Sequence, residues 1–182
     1  MARGATIYKV GLELSLVDRD VYAERSLTVA RHPSETHERT LVRILAYALR
    51  YEADLEFGRG VSATDEPDLW SREGDGRPRQ WIEVGQPDGK KLVKAARHSG
   101  RAILFAFGEG LDRWRSAQLD TIEAPDNLSV ARVDEEFLDA LARVTDRQLR
   151  LSVTLSDGLV FVTSGDDSFE TSFEGLLGNP LD

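Results

Sequence analysis

The chain has 182 residues, of which 41% are hydrophobic and 30% charged, with a formal charge of −9. That balance fits one folded domain spanning 1–182 with a sizeable core, and excludes collagen-like repeats, extended disorder and any apolar run long enough for a membrane span. The absence of cysteine excludes disulfides, thiolate zinc sites and cysteine nucleophiles, and the negative charge means that any nucleic-acid contact must come from a local basic patch. Met1–Thr6 leads straight into alternating residues without an apolar leader, so a cytoplasmic address and no membrane partner are expected.

Tyr8, Val10, Leu12, Leu14 and Leu16 occupy every second position and predict a half-buried strand. Asp18-Arg19-Asp20 predicts a turn, with Arg25–Ala30 returning antiparallel as an opening hairpin. His32-Pro33-Ser34-Glu35 is a helix-start signal with Ser34 as N-cap, and the helix is expected from about Glu35 to Glu52. Leu41, Val42, Leu45, Ala48 and Leu49 form its apolar stripe. Glu38 lies on the same stripe, either as an acid directed along the core face or as a helix-end acid reaching solvent past the core edge.

Asp75-Gly76 predicts a two-residue type I′ hairpin in which partner numbers add up to 151. Trp70 then faces Trp81, Arg72 faces Arg79, and Asp68 faces Glu83 on one side of the ribbon, the two acids with Cβ atoms roughly 5 Å apart. Gly74 or Pro78 could introduce a bulge. Asp88 is expected to cap a helix through His98, on which Lys90, Lys94 and Arg97, continued by Arg101, form a basic stripe. Ala102–Phe107 is a short continuous apolar run suited to a strand covered on both faces. A helix over Leu111–Leu119, a strand over Leu128–Val133 and a helix capped by Asp134 through about Val144 follow. Leu149 to Leu155 alternate, Asp157-Gly158 turns the chain into Leu159–Val162, Ser168–Phe173 adds an edge strand, and the last residues read as a loose tail. The alternation of strands and helices predicts an α/β (α+β) fold with antiparallel hairpins at both ends.

No phosphate-cradling loop is present: Gly85-Gln86-Pro87-Asp88-Gly89-Lys90 is one residue short and contains proline. Gly-x-Ser-x-Gly is absent, and His32, His37 and His98 lack the spacing of a zinc helix. What remains is a set of oxygen donors, Glu38, Asp68 and Glu83, with Asp65 and Glu66 just before the hairpin and Lys94 on the helix after it. Such carboxylates suit hard divalent cations, and a nearby lysine can stabilise charge on a scissile phosphate.

Ala5-Thr6-Ile7-Tyr8-Lys9, the run Ser26 to Thr36 with Glu38-Arg39, Asp65-Glu66-Pro67, Trp81-Ile82-Glu83, Pro87-Asp88, Lys94-Ala95 and Asn127–Val130 together resemble the YaeQ family over essentially the whole chain. The resemblance implies a fold like that of the PD-(D/E)XK nucleases, with a restriction-endonuclease-like mixed sheet flanked by helices. That superfamily places an acid on its first core helix, an Asp on one strand and a Glu-x-Lys on the next, and Glu38, Asp68 and Glu83 match these in turn. Gly85 stands where the lysine would be, so Lys94 is expected to replace it from the following helix. Two functions are in view. One is a phosphodiesterase acting on nucleic acid, with Mg²⁺ or Mn²⁺ on Asp68, Glu83 and the neighbouring Glu66, and the basic stripe as nucleic-acid contact. The other is a non-catalytic binding or regulatory protein that retains the scaffold, which the net charge and Gly85 favour.

Overall fold

The computed structural model describes residues 4–63 and 65–182. Contact density divides the chain into two compact units that alternate along the sequence: Met1–Arg50, Asp134–Phe173 and Leu181–Asp182 form the first, Tyr51–Val133 and Glu174–Pro180 the second.

In the first unit, β1 (Thr6–Leu16) and β2 (Val21–Arg31) pair antiparallel along their full lengths, from Thr6 opposite Arg31 to Leu16 opposite Val21. The second strand is therefore longer than the predicted Arg25–Ala30. The later strands β8 (Gln148–Ser156), β9 (Leu159–Ser164) and β10 (Asp167–Thr171) complete a five-stranded sheet in the order β10-β9-β8-β1-β2. β1 and β8 run parallel, which merges both terminal hairpins into one sheet. The expected single central sheet is thus two sheets. Alternation holds: Tyr8, Val10, Leu12, Leu14, Leu149, Leu151, Val153 and Leu155 are all buried. They face α1 (His37–Leu49) and α4 (Glu135–Val144), which also pack on each other. The second Asp-Gly pair is a true two-residue turn, since Asp157 and Gly158 both have positive φ and Ser156 faces Leu159. Asp18 fixes that turn by accepting the N–H groups of Asp157 at 2.7 Å and Gly158 at 2.9 Å.

α1 starts later than predicted. Its N-cap is Thr36, whose hydroxyl accepts the Arg39 N–H at 3.1 Å, while Ser34 bonds the His32 ring. Glu35 lies outside the helix and only 5% exposed. Its carboxylate takes Arg43 at 3.2 Å, Arg39 at 3.0 Å and the His32 N–H, so two guanidinium groups hold it inside rather than the helix dipole.

The second unit holds a six-stranded mixed sheet, built from β3 (Glu56–Phe57), β4 (Leu69–Arg72), β5 (Pro78–Val84), β6 (Arg101–Ala106), β7 (Leu128–Arg132) and β11 (Glu174–Leu177), in the order β11-β7-β6-β5-β4-β3. β5, β6 and β7 are parallel, and α2 (Gly89–Arg97) is the crossover from β5 to β6. Ala102–Ala106 are buried on both faces, as their continuous apolar run predicts. The predicted helix over Leu111–Leu119 is α3 (Leu111–Trp114) followed by a π-helical turn over Arg115–Leu119. The tail is not loose: β11 adds to the sheet edge beside β7, and the Arg101 guanidinium donates to the Asn179 carbonyl. Among the described residues no helix is long and apolar enough to cross a membrane.

Candidate functional site

The β4–β5 hairpin sets the geometry of the acids. Leu69 faces Ile82, Trp70 faces Trp81 and Ser71 faces Gln80, as the turn arithmetic predicts, but Arg72 faces Pro78 rather than Arg79. The cause lies in two departures that cancel. Only Gly76 of the Asp-Gly pair has positive φ, at 86°. Gly76 N–H donates to the Glu73 carbonyl and Glu73 N–H to the Arg77 carbonyl, both at 2.8 Å, which makes a three-residue loop with glycine at the left-handed position. That loop shifts the register by one residue, and a bulge at Arg79 shifts it back. Glu52 and Asp54 hold the bulged Arg79 by ion pairs.

Asp68 is the residue just before β4, one step beyond the Leu69–Ile82 pair, and lies close enough to Glu83 for the two charges to act on each other. The Trp70 and Trp81 indoles meet edge to face at 5.9 Å. Asp68 and Glu83 are 3% and 4% exposed. Asp68 Oδ2 accepts the Val84 N–H at 2.9 Å. Glu83 Oε1 accepts from Trp81 Nε1 at 2.9 Å and Oε2 from Lys91 Nζ at 3.0 Å. Burial pushes the Glu83 carboxyl above the usual glutamate range; the Lys91 charge and the Trp81 bond oppose the rise, and the neighbouring Asp68 adds to it.

The ammonium on Glu83 thus belongs to Lys91, not to the predicted Lys94. α2 buries Leu92, Ala95 and Ala96, and its N-cap Asp88 starts the helix so that Lys91 falls beside the end of β5 while Lys94, one turn on, is exposed. Gly85, where the superfamily resemblance would put a lysine, has a φ of 107°, a backbone conformation that a residue with a side chain rarely adopts. Lys91 could have been found in the sequence from the cap alone, as the third residue after Asp88.

The other predicted residues lie elsewhere. Glu38 is half-buried in the first turn of α1 and belongs to the first unit, whereas Asp68, Glu83 and Lys91 belong to the second. Glu66 is drawn to Arg59, which it meets at 2.9 Å and through the Arg59 N–H, and these bonds hold its carboxyl below the usual range. Among the described residues no three His, Asp or Glu side chains gather as ligands for one metal ion, so the expected set of Asp68, Glu83 and Glu66 does not form.

A cleft of about 1220 Å³ reaches the residues bonded to Glu83, although neither Asp68 nor Glu83 is in its lining. Trp81 and Lys91, the two residues bonded to Glu83, are in its wall with Lys94, Arg97 and His98, and the hairpin loop from Glu73 to Arg79 forms the other side. Of the predicted basic stripe, Lys94 and Arg97 line the cleft, while Arg101 turns to Asn179 and Lys90 is exposed outside the lining. A further cavity, about 1370 Å³, lies over the polar face of the first unit's sheet around Lys9, Gly11, Glu13 and Arg150.

The family description "YaeQ protein" matches residues 1–173. The chain belongs to the YaeQ family. The YaeQ protein of Escherichia coli K12 is 34% identical over 174 residues, covering 94% of this chain and 96% of its own. That of Salmonella typhi is 36% identical over 172 residues, covering 93% and 94%. The crystal structure of YaeQ from Pseudomonas syringae superimposes with a TM-score of 0.92 at 41% identity, covering 97% of this chain and 98% of that one. YaeQ from Xanthomonas axonopodis pv. citri gives 0.90 at 38% identity, covering 96% and 99%. The mixed α+β architecture with two mixed sheets is therefore that of the YaeQ family, and the acid pair sits on its second sheet.

Proposed function

We propose that this YaeQ chain is a divalent-cation-dependent phosphodiesterase of the PD-(D/E)XK type that acts on nucleic acid. The observation that carries the reading is the proximity of Asp68, just before β4, to Glu83 on β5, two almost fully buried carboxylates with the Lys91 ammonium on one of them. Two buried carboxylates close together, one of them on a single ammonium, form an oxygen donor set that suits Mg²⁺ or Mn²⁺. Mg²⁺ is commonly held by one or two carboxylates, with waters and substrate phosphates filling the other positions, so a third protein acid is not required.

When bound, such a cation supplies Lewis acidity for phosphoryl transfer. Asp68 and Glu83 hold it, oriented by the Val84 N–H and the Trp81 indole. Lys91, with 37% of its side chain exposed, is free to swing from Glu83 towards a phosphate and stabilise the charge that develops there. Lys94 and Arg97 face the cleft as phosphate contacts. Glu38 enters only through the superfamily resemblance, as a supporting acid.

The second reading, a binding protein that retains the scaffold, draws on the engagement of both Glu83 oxygens and on the resemblance, which puts Gly85 where the lysine would stand. A nuclease screen with Mn²⁺ on single- and double-stranded substrates decides between them. Cleavage that is lost in Glu83→Gln and in Lys91→Ala supports the enzyme, and cleavage that survives in both variants belongs to a contaminant. No cleavage anywhere in the panel leaves the binding protein.

A further inference from the structure

Residues 89–108 contain Lys90, Lys91, Lys94, Arg97 and Arg101 and no acid, in a chain whose total charge is −9. Folding does not require this, because the buried face of α2 is Leu92, Ala95 and Ala96. Among the described residues neither Lys94 nor Arg97 makes an ion pair or a side-chain hydrogen bond, although acidic residues outnumber basic ones. At a helical rise of about 1.5 Å per residue, Lys91, Lys94 and His98 run along one side of α2 over roughly 10 Å. Trp81 stands in the same wall, bonded to Glu83, so the row of cations leads to the acid pair. The opposite wall adds little positive charge: it carries Glu73 and Asp75, and its arginines are bound, Arg77 to Asp75 and Arg79 to Glu52 and Asp54.

We infer that this cleft holds one strand of single-stranded nucleic acid, with Lys94 and Arg97 against neighbouring phosphates and a base stacked on Trp81. A one-sided track of cations beside an aromatic ring is the chemistry that recognises single strands, whose bases are free to stack on a side chain. In a duplex the bases already stack on one another, and its two phosphate chains meet cations on only one wall of the cleft while the rest of the acidic surface repels them. The inference rests on the phosphodiesterase reading for what happens at Asp68 and Glu83, but strand binding itself needs no cation.

Fluorescence anisotropy with a labelled oligothymidylate of about 16 nucleotides, against a duplex of the same length, tests it in a buffer containing EDTA. The single strand binds about tenfold tighter than the duplex and quenches tryptophan emission, and Trp81→Phe loses the quench. Lys94→Glu with Arg97→Glu weakens binding by about tenfold and lowers the salt slope by roughly 1.4, about 0.7 for each phosphate contact. Lys9→Glu with Arg150→Glu, on the first unit's sheet, changes the total charge equally and leaves binding as it was. Equal losses in the two double variants, a quench that survives Trp81→Phe, or a duplex bound as tightly as the strand overturns the inference. Calorimetry with Mn²⁺ reads the other claim separately. Strand binding without cation binding removes the hydrolase and keeps the cleft; cation binding without strand binding removes the cleft.

Discussion

Lys91 Nζ lies 3.0 Å from Glu83 Oε2, reaching across from the third residue of α2 to the strand that precedes it. Burial outweighs this contact in setting how Glu83 responds to pH. Burial raises its carboxyl, the Lys91 charge lowers it and Asp68 raises it. Glu83 should therefore titrate above an ordinary glutamate in carboxyl ¹³C NMR, move further up in Lys91→Met, and move down in Asp68→Asn. Because the folded state holds this proton more tightly than the unfolded chain, the Glu83 contribution to stability is greatest at acid pH. It declines as pH rises from the ordinary glutamate value through the raised one. Shifts of the opposite sign in either variant would contradict the assigned causes.

How far the sequence reached can be read at the same hairpin. The Trp70–Trp81 pairing was legible because alternation and an Asp-Gly turn restrict a ribbon to few registers. Its success was partly fortuitous, since the loop and the Arg79 bulge each displace the register and compensate one another. Local spacing does not reveal a bulge stabilised by Glu52 and Asp54, which are distant in sequence. The N-cap at Thr36 was missed for a similar reason, because Glu35 is withdrawn by Arg43 on the next turns of α1. Lys91 was overlooked in favour of Lys94 because helical periodicity fixes the spacing of a stripe but not its rotation towards β5, which the Asp88 cap decides.

The buried Glu35–Arg43 pair makes a second prediction. With side chains 1% and 3% exposed, neither charge has water to fall back on. Glu35→Gln leaves Arg43 buried without its counter-charge and should cost about 3–5 kcal/mol in urea unfolding. Replacing both residues with methionine should cost clearly less than the single change, since only Arg39, 21% exposed, then loses its carboxylate. Equal losses would mean that Glu35 acts through packing instead.

Gly85 allows a third. Gly85→Lys places a side chain at a φ of 107°, and the surroundings are open, so the penalty is conformational rather than steric. A loss of about 1–3 kcal/mol is expected, with no gain in any hydrolytic activity. A variant as stable as the wild type would show that the backbone there relaxes readily.

The last prediction separates holding a cation from using it. A cation that binds Asp68 and Glu83 meets the Lys91 ammonium on Glu83 Oε2, so the two positive charges compete for one carboxylate edge. Removing the competitor by Lys91→Ala should tighten Mn²⁺ binding by about tenfold, equivalent to about 1.4 kcal/mol of relieved repulsion, as measured by calorimetry. The same variant should lose cleavage, because the group that stabilises charge on the phosphate is gone. Asp68→Asn should do the reverse on the first count and weaken the cation, since it removes a ligand and a negative charge together. Truncating Lys91 leaves the almost buried Glu83 without its ammonium, so the melting temperature should fall at neutral pH and recover at acid pH, and circular dichroism without cation keeps misfolding apart from the loss of activity. Weaker Mn²⁺ binding in Lys91→Ala would mean that the ammonium supports the cation site rather than competing with it, and the swing of Lys91 from carboxylate to phosphate would then have to be abandoned.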